Sequence, residues 1–280
     1  MTATVRPLGP AAAAPAPAAD AAIEIAGASK VFRRERRAGR GEVRALDPID
    51  LVVPRGEFLA IVGPSGCGKS TLLRLIAGLL GPTAGEVRVD GVPVTRPQTR
   101  VGIVFQSPVL LDWRTVLDNV LLQLELRGED PRPHRERALA LLDSVGLADF
   151  HDRYPRELSG GMQQRVALAQ TLACNPEMLL MDEPFGALDA QTRRILQDEL
   201  RRIWQRNTKT VLFVTHDVEE AVALGTRIVV MAARPGRIKE VVKRDFDVRD
   251  GDEFDANPAF VDLKLRIWRS VKEEVEAARA

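Results

Sequence analysis

One glycine-rich segment carries the residue types that bind phosphate groups. It occupies residues 63–71 and reads Gly63, Pro64, Ser65, Gly66, Cys67, Gly68, Lys69, Ser70 and Thr71. Glycines let backbone N–H groups turn toward phosphate oxygens, and the following helix adds the partial positive charge of its N-terminus. At this spacing Lys69 reaches the β and γ phosphates and Ser70 ligates Mg²⁺. The pattern therefore predicts nucleotide binding rather than a merely structural turn.

Two adjacent carboxylates follow an apolar run further along the chain. Residues 178–181 are typical of a buried strand and lead directly into Asp182 and Glu183. Ligands of open α/β sheets bind at the carboxyl ends of the strands. Asp182 suits a role toward Mg²⁺, and Glu183 suits a general base for an attacking water. Alone, this run would indicate a strand and a solvated turn, but the phosphate loop upstream favours the functional interpretation.

A second helix start combines a serine with two glycines. It reads Ser159, Gly160, Gly161 and Met162, followed by a Gln-Gln-Arg run. The serine is a suitable N-cap, and a helix N-terminus attracts anions. The segment is thus a candidate for a second anion site, although in isolation it would indicate only a capped helix.

The elements around these motifs alternate between strands and helices. Apolar runs predict buried strands at 58–62, 101–105, 178–181, 211–214 and 228–231. Residues 115–175 are mostly helical by periodicity, and 188–203 form an amphipathic helix. We therefore expect an α/β fold with a mainly parallel core sheet.

The two ends of the chain differ from this core. Residues 1–20 are mostly Ala and Pro, so we expect a disordered tail. From Ile23 onward β-rich runs predict an antiparallel edge, which the basic stretch 33–37 breaks as a solvated loop before the run 46–53. We expect a main domain over 21–243 with a helical subdomain at about 107–176, then an acidic linker and an amphipathic helix over 244–280. That helix is expected to pack on its own domain, because it lacks the basic face of a membrane-surface helix; a dimer contact is the alternative.

The composition excludes several classes of protein. The chain has 280 residues, of which 45% are hydrophobic and 28% charged, as in folded globular proteins. The net charge of +1 gives no reason to expect a nucleic-acid partner. No window holds the ~18 consecutive apolar residues of a membrane span, so any membrane contact is expected to be peripheral. Cys67 and Cys174 form no disulfide framework, and no secretory signal is present, which predicts a cytoplasmic protein.

The three motifs, in their order along the chain, resemble those of the ATP-binding cassette (ABC) ATPases. The resemblance covers roughly residues 22–240 and implies a P-loop NTPase fold with a mainly parallel sheet, an antiparallel β subdomain and a helical subdomain. It carries further roles to matching positions. Gln106 matches a glutamine that contacts Mg²⁺ or water, Asp189 a loop at the dimer face, and His216 a histidine at the γ-phosphate. Phe32 lies where the family places an aromatic ring on adenine.

The resemblance also implies partners. Two copies of the chain would enclose each ATP between the phosphate loop of one copy and residues 159–162 of the other, with ATP and Mg²⁺ as cofactors. Hydrolysis would drive a separate transmembrane permease, and indirectly a solute-binding protein, at the cytoplasmic face of the cell membrane. A monomer is expected to hydrolyse ATP poorly.

Residues 65–71, 181–193 and 234–238 are most similar to importer ATPases for nitrate, sulfonate and taurine. Two residues depart from that pattern. Asp112 stands where nitrate- and sulfonate-type members usually have Pro, in a loop expected near the membrane subunit. Gln170 stands where arginine is common, away from the expected chemistry. The solute is bound by other subunits and cannot be read from this chain.

Two other functions compete with solute import. A soluble cassette ATPase acting as an assembly or interaction factor would share the motifs, but such proteins carry paired cassettes, zinc-ligand cysteines or a long coiled-coil insertion. Too few residues separate Gln106 from Ser159 to hold such an insertion. A P-loop kinase that phosphorylates a metabolite would have no use for the Ser-Gly-Gly run.

Overall fold

The computed structural model describes residues 20–36, 39–247 and 257–277. The strands of this part of the chain are β1 (Ala21–Arg36), β2 (Gly39–Pro54), β3 (Phe58–Val62), β4 (Ala84–Val89), β5 (Val92–Pro93), β6 (Val101–Val104), β7 (Met178–Asp182), β8 (Thr210–Val214), β9 (Arg227–Ala232) and β10 (Arg237–Lys243). The helices are α1 (Lys69–Ile76), α2 (Val116–Leu126), α3 (Arg135–Ser144), α4 (Gly160–Ala173), α5 (Ala190–Asn207), α6 (Val218–Leu224) and α7 (Pro258–Ala277). The predicted tail over 1–20 lies outside the described residues except for Asp20, and most of the acidic linker lies outside them too.

The larger sheet is six-stranded, with the order β10-β9-β3-β8-β7-β6. Every neighbouring pair from β9 to β6 is parallel, and only β10 is antiparallel to its neighbour. Strands β3, β7 and β8 are buried along their whole length, which explains why their sequences show no polar alternation. The predicted mainly parallel core is confirmed. Its topology brings the residues that follow β3, β6, β7 and β8 to one edge of the sheet.

A smaller antiparallel sheet has the order β2-β1-β4-β5. Here the predicted break at the basic stretch 33–37 is wrong, because β1 continues to Arg36 and pairs with β2 from Gly39. Arg33 lies opposite Glu42, and its Nε is 3.3 Å from the Glu42 carboxylate. The backbone hydrogen bonds between two antiparallel strands form whether or not the side chains are apolar. Side chains of opposite charge that face each other across the strands stabilise the pair, so β1 and β2 can continue through the basic stretch.

Helices α2, α3 and α4 occupy the region that periodicity predicts as helical. The N-cap of α2 is Thr115, whose Oγ1 accepts a hydrogen bond from Asp118 N at 3.2 Å. The buried Gln170 donates from Nε2 to the Asn119 carbonyl at 2.9 Å, which ties α4 to α2. Gln170 therefore has a packing role, and the sequence departure at this position lies away from the phosphate loop. The subdomain boundaries at 107 and 176 stay a prediction.

The C-terminal helix α7 packs against α6 and β9. Its own Phe260 and Ile267 are fully buried, while its Leu265 and Trp268 are exposed. Lys264 Nζ lies 2.8 Å from the Glu219 carboxylate and joins α7 to α6. The expectation that this helix covers its own domain agrees with this packing. No helix within the described residues has both the length and the apolar character to cross a membrane.

Candidate functional site

The phosphate-loop segment connects the end of β3 to the start of α1. Gly66 and Gly68 have φ angles of 77° and 93°, a left-handed region that side chains disfavour. Gly68 is also enclosed, since a Cβ at this position would lie 2.5 Å from Leu46 Cδ2 and 3.0 Å from the Ala45 carbonyl. The turn therefore requires glycine at both positions, and the approach of β2 requires it at Gly68 as well.

Lys69 opens α1 and is almost fully buried. Its Nζ donates to the Gly63 carbonyl at 2.8 Å and to the Pro64 carbonyl at 3.1 Å, so the ammonium group lies against the loop. Cys67 Sγ is 3.9 Å from the same Nζ, and burial raises the pKa of the thiol. Cys67 thus serves as a neutral packing residue, and Lys69 supplies the positive charge of the site.

Ser70 and Asp182 join α1 to the end of β7. Ser70 Oγ donates to Asp182 Oδ1 at 2.9 Å. Burial raises the pKa of Asp182, although the Ser70 hydrogen bond acts in the opposite direction. A buried carboxylate beside a hydroxyl is a set of oxygen ligands that suits Mg²⁺, which binds at about 2.0–2.1 Å in octahedral geometry. Two adjacent ligands of such an ion lie about 2.9 Å apart, so the residues present fit the ion.

Glu183 is held by residues that follow two other strands. Its Oε2 accepts a hydrogen bond from Gln106 Nε2 at 3.2 Å and lies 3.1 Å from His216 Nδ1. Its backbone N–H donates to the Val214 carbonyl at 2.8 Å, and its φ of 48° is left-handed. Such a conformation in a residue other than glycine is strained and is concentrated at functional sites. The fold therefore aims one carboxylate, with two polar neighbours, at a defined place.

A cavity of about 310 Å³ lies between the phosphate loop and this carboxylate. It is lined by Ala45, Ser65, Gly66, Gly68, Lys69, Ser70, Thr71, Gln106 and Glu183. The structure thus brings together the predicted loop, the predicted base and the predicted glutamine. Ala45 was missed by sequence reasoning, because an alanine in a strand carries no chemical signal and reaches the cavity only through the packing of β2.

The serine-glycine segment begins α4 and stands apart from this cavity. Ser159 is the N-cap, and its Oγ accepts a hydrogen bond from Met162 N at 3.3 Å. Ser159 and Gly160 are exposed, and Gly161 and Met162 are partly buried. None of these four residues lines the cavity that the described residues form. Within one chain, the two predicted anion sites are separate.

Several other predicted residues lie outside the cavity lining, among them Asp182 and His216, which reach it through Ser70 and Glu183, and also Asp189 and Phe32. Asp189 is the N-cap of α5, and the hydrogen bond that it accepts from Thr192 N at 2.9 Å lowers its pKa. Phe32 lies in β1 opposite Val43, two residues before Ala45, and 36% of it is exposed. Phe32 is therefore not a core residue, and Lys30 Nζ lies 5.4 Å from the centre of its ring.

A parallel sheet with a glycine loop, a buried lysine and a serine–aspartate pair defines the class of phosphate-loop ATPases. The family model described as ABC transporter matches residues 46–186. The chain belongs to this family and is an ATP-binding subunit of an ABC transporter, with ATPase activity.

Individual relatives agree with this family. The chain is 55% identical over 234 residues to an uncharacterized ABC transporter ATP-binding protein of Methanocaldococcus jannaschii, covering 83% of this chain and 86% of that protein. It is 51% identical to a nitrate import ATP-binding protein of Synechocystis sp., covering 78% and 80%. It is 45% identical to a taurine import ATP-binding protein of Rhizobium johnstonii, covering 85% and 92%.

A solved bacterial ABC transporter cassette with a dimeric structure has a TM-score of 0.73 and 35% sequence identity. It covers 80% of this chain and 100% of its own chain. The ABC cassette fold expected from the motifs is therefore confirmed.

Proposed function

We propose that this chain energises the uptake of a small solute through a separate membrane permease, by closing with a second copy around ATP and opening after hydrolysis. The observation that carries the chemical part is the Glu183 carboxylate, held between Gln106 and His216 beside the phosphate loop. The direction of transport and the solute class, nitrate, sulfonate or taurine, are supported by relatives named for nitrate and taurine import.

Phosphate binding falls to the loop and α1. Gly66 and Gly68 line the cavity with positive φ angles, a loop geometry that suits phosphate oxygens, and the N-terminus of α1 adds its dipole. Lys69 holds its ammonium group at the loop through two carbonyls, from which it can reach the β and γ phosphates. Phe32, exposed on β1, offers a face on which adenine can stack.

Ser70 and Asp182 are the residues that would hold Mg²⁺, together with the side-chain oxygen of Gln106. Gln106 donates to Glu183 through Nε2, which leaves its amide oxygen for a cation or a water. With Mg²⁺ held there, these residues would place a charge that neutralises the β and γ phosphates. The buried Asp182 gains from this arrangement, because a cation compensates the cost of its charge.

Glu183 acts as the general base on the water that attacks the γ-phosphate. Gln106 and His216 hold its Oε2 from two sides, so the carboxylate needs little reorganisation at the moment of proton transfer. The imidazole of His216 is 62% exposed at the same edge, where it can face the γ-phosphate. Positioning and electrostatics account for most of the catalysis of phosphoryl transfer.

The second copy completes the site. The N-terminus of α4, with Ser159, Gly160 and Gly161, presents backbone N–H groups to solvent, away from the phosphate loop of its own chain. We assign these residues, with Met162, to the phosphate of the ATP bound by the other copy, and Asp189 to the same dimer face. The dimeric state of the related cassette supports this assignment.

The permease contact is assigned to the segment that follows Gln106. Val109 and Trp113 are 63% and 75% exposed, and Tyr154 is exposed on the neighbouring helical region. Exposed apolar side chains of one surface region can bind a protein partner, and we assign these three to the permease. Asp112 lies within this segment, where a charge can select the permease. This contact would hold the chain at the cytoplasmic face of the membrane.

One experiment separates import from the assembly-factor alternative. The tagged chain is purified from gently solubilised membranes of its native host, and ATPase activity is measured with and without nitrate, taurine and alkanesulfonates. Recovery of a multi-span permease and a solute-binding protein, with ATPase activity stimulated by one solute, supports import. Full activity in the soluble fraction with only soluble partners contradicts it. The variant Trp113→Ala should lose the permease, while Trp268→Ala, a matched exposed tryptophan on α7, should keep it.

A further inference from the structure

One arginine of α5 joins two segments of the site that the chain brings together only on folding. Arg193 Nη2 donates to the Leu188 carbonyl at 3.1 Å, in the loop that precedes α5. Its Nη1 lies 3.4 Å from Asp217 Oδ2 and its Nε lies 3.6 Å from Glu220 Oε1. Two of these contacts are hydrogen bonds, from Nη1 and Nη2, whereas the contact with Glu220 is an ion pair in which Nε makes no hydrogen bond. A planar guanidinium reaches both hydrogen-bond acceptors at once because its donors form a rigid fork.

The carboxylates belong to the segment that carries His216. Thr215 Oγ1 donates to Glu220 Oε2 at 2.6 Å and accepts from Asp217 N at 3.0 Å. Asp217 Oδ1 in turn caps α6 by accepting from Glu219 N at 2.8 Å. The residues on both sides of His216 are therefore fixed, and Arg193 bonds to that fixed frame.

The opposite end of the connection is the start of α4. A Cβ at Gly161 would lie 3.2 Å from the Ala187 carbonyl and 3.2 Å from Leu188 Cδ2. Leu188 is itself buried, with 7% of it exposed. Little room therefore remains between the start of α4 and this loop. A shift of the α4 N-terminus toward the loop would press on the segment whose Leu188 carbonyl binds Arg193.

We infer that Arg193 is a positioning residue that couples the serine-glycine start of α4 to His216, and so links the two ATP sites of the dimer. The inference rests on the proposed composite sites. In one chain, His216 serves the ATP of its own phosphate loop, whereas the start of α4 serves the ATP of the partner copy. Engagement of α4 at one site therefore sets His216 at the other, and hydrolysis becomes cooperative in ATP.

The test uses a substitution that removes the bridge without stranding a buried charge. In the double variant Arg193→Met with Glu220→Gln, the glutamine still accepts the Thr215 hydroxyl and no buried carboxylate lacks a partner. ATPase rate is measured against ATP concentration for the full chain, together with the melting temperature.

The wild-type chain should give a Hill coefficient above 1 and no higher than 2, because the dimer has two sites. The double variant should give a coefficient near 1 and a kcat lower by about 10- to 100-fold, because misplaced groups lose much of their effect. Its half-saturating ATP concentration and melting temperature should stay close to those of wild type.

Two comparisons separate positioning from a structural role. Arg193→Lys keeps the charge but lacks the fork, so it should keep the melting temperature and lose the cooperativity. Arg202→Met removes an arginine of the same helix that is half exposed and pairs with Glu199, and it should change neither quantity.

Three results would overturn the inference. A cooperative double variant with wild-type kcat refutes it and leaves the proposed function intact. An Arg193→Lys variant that keeps the cooperativity of wild type also refutes it, because a positive charge without the fork would then be sufficient. A wild-type chain that is active but not cooperative refutes the coupling and, if ATP also fails to dimerise Glu183→Gln, the composite sites as well.

Discussion

Two helix N-termini of this chain, those of α1 and α4, use the same physics and reach different results. The start of α1 is enclosed by β2 and lies beside a buried lysine and a serine–aspartate pair. The start of α4 is exposed, and the hydroxyl of its capping serine accepts a hydrogen bond from Met162 N in the first turn of the same helix. The one arginine of α4, Arg165, donates to the Val145 carbonyl at 2.8 Å and so faces another partner.

The difference teaches what a helix dipole can and cannot do. Partial charge and exposed N–H groups favour an anion at either helix, each with an effect of the order of 1 kcal/mol. Strong binding requires a full charge and a shaped cavity, which α1 has and α4 lacks among the described residues. We interpret the start of α4 as half of a site, whose other half belongs to a second copy.

Removal of the cation at α1 should have the largest effect. Lys69→Ala leaves the phosphates without the ammonium group, and truncation of one partner of a buried charge pair costs about 2–5 kcal/mol. We expect kcat/KM to fall by about 10³-fold, together with a loss of ATP binding by the monomer. Binding is measured by calorimetry. Lys272→Ala, at a half-exposed residue paired with Glu276, should bind as wild type does. If the Lys69→Ala monomer bound ATP as wild type does, the start of α1 would not be the complete ATP site of one chain.

Removal of the base should have the next largest effect and should make the dimer visible. Glu183→Gln keeps the hydrogen bonds to Gln106 and His216 within reach but cannot accept the proton, a loss of about 10²–10³-fold in kcat. ATP binding should persist, and the chain should elute as an ATP-dependent dimer in size-exclusion chromatography. Full turnover by Glu183→Gln would contradict the role assigned to this carboxylate.

A charge placed at the start of α4 should break the second half-site alone. Ser159→Arg should lower turnover by about 10²-fold, since it blocks the donors that we assign to the phosphate of the partner copy. ATP binding by the monomer should remain near that of wild type, because residues 159–162 do not line the cavity. Gln205→Arg adds the same charge on the exposed side of α5 and should be neutral. Loss of monomer binding in Ser159→Arg would show that the two helix starts share one site.

The adenine contact should give the smallest effect. Phe32→Ala removes a stacking surface, and such truncations cost about 1–3 kcal/mol per base. We expect KM for ATP to rise roughly tenfold with kcat little changed. Phe150→Ala is a control of equal exposure, since Phe32 and Phe150 are 36% and 37% exposed. Equal KM values for both variants would assign Phe32 to the surface and leave adenine to other residues.

Short segments of the chain predicted the elements around α1 well. The apolar run before residue 63 and the glycine spacing specify a strand, a turn and a helix within a few residues of each other. The antiparallel edge was predicted correctly, but its break at residues 33–37 was wrong, because the basic stretch looks like a loop by composition. Only the pairing of β1 with β2 shows that Arg33 faces Glu42.

The sequence by itself determined the chemistry of this protein. The residue types and spacings at 63–71, 159–162 and 182–183 predict the phosphate ligands, the cation and the base, since those properties depend on side chains and on adjacent backbone. The tertiary structure decided which of these groups meet. The parallel order of β6, β7 and β8 brings Gln106, Glu183 and His216 within hydrogen-bonding distance, and packing of β2 adds Ala45 to the cavity. Contacts between residues far apart in the chain depend on strand order and burial, which no local pattern encodes.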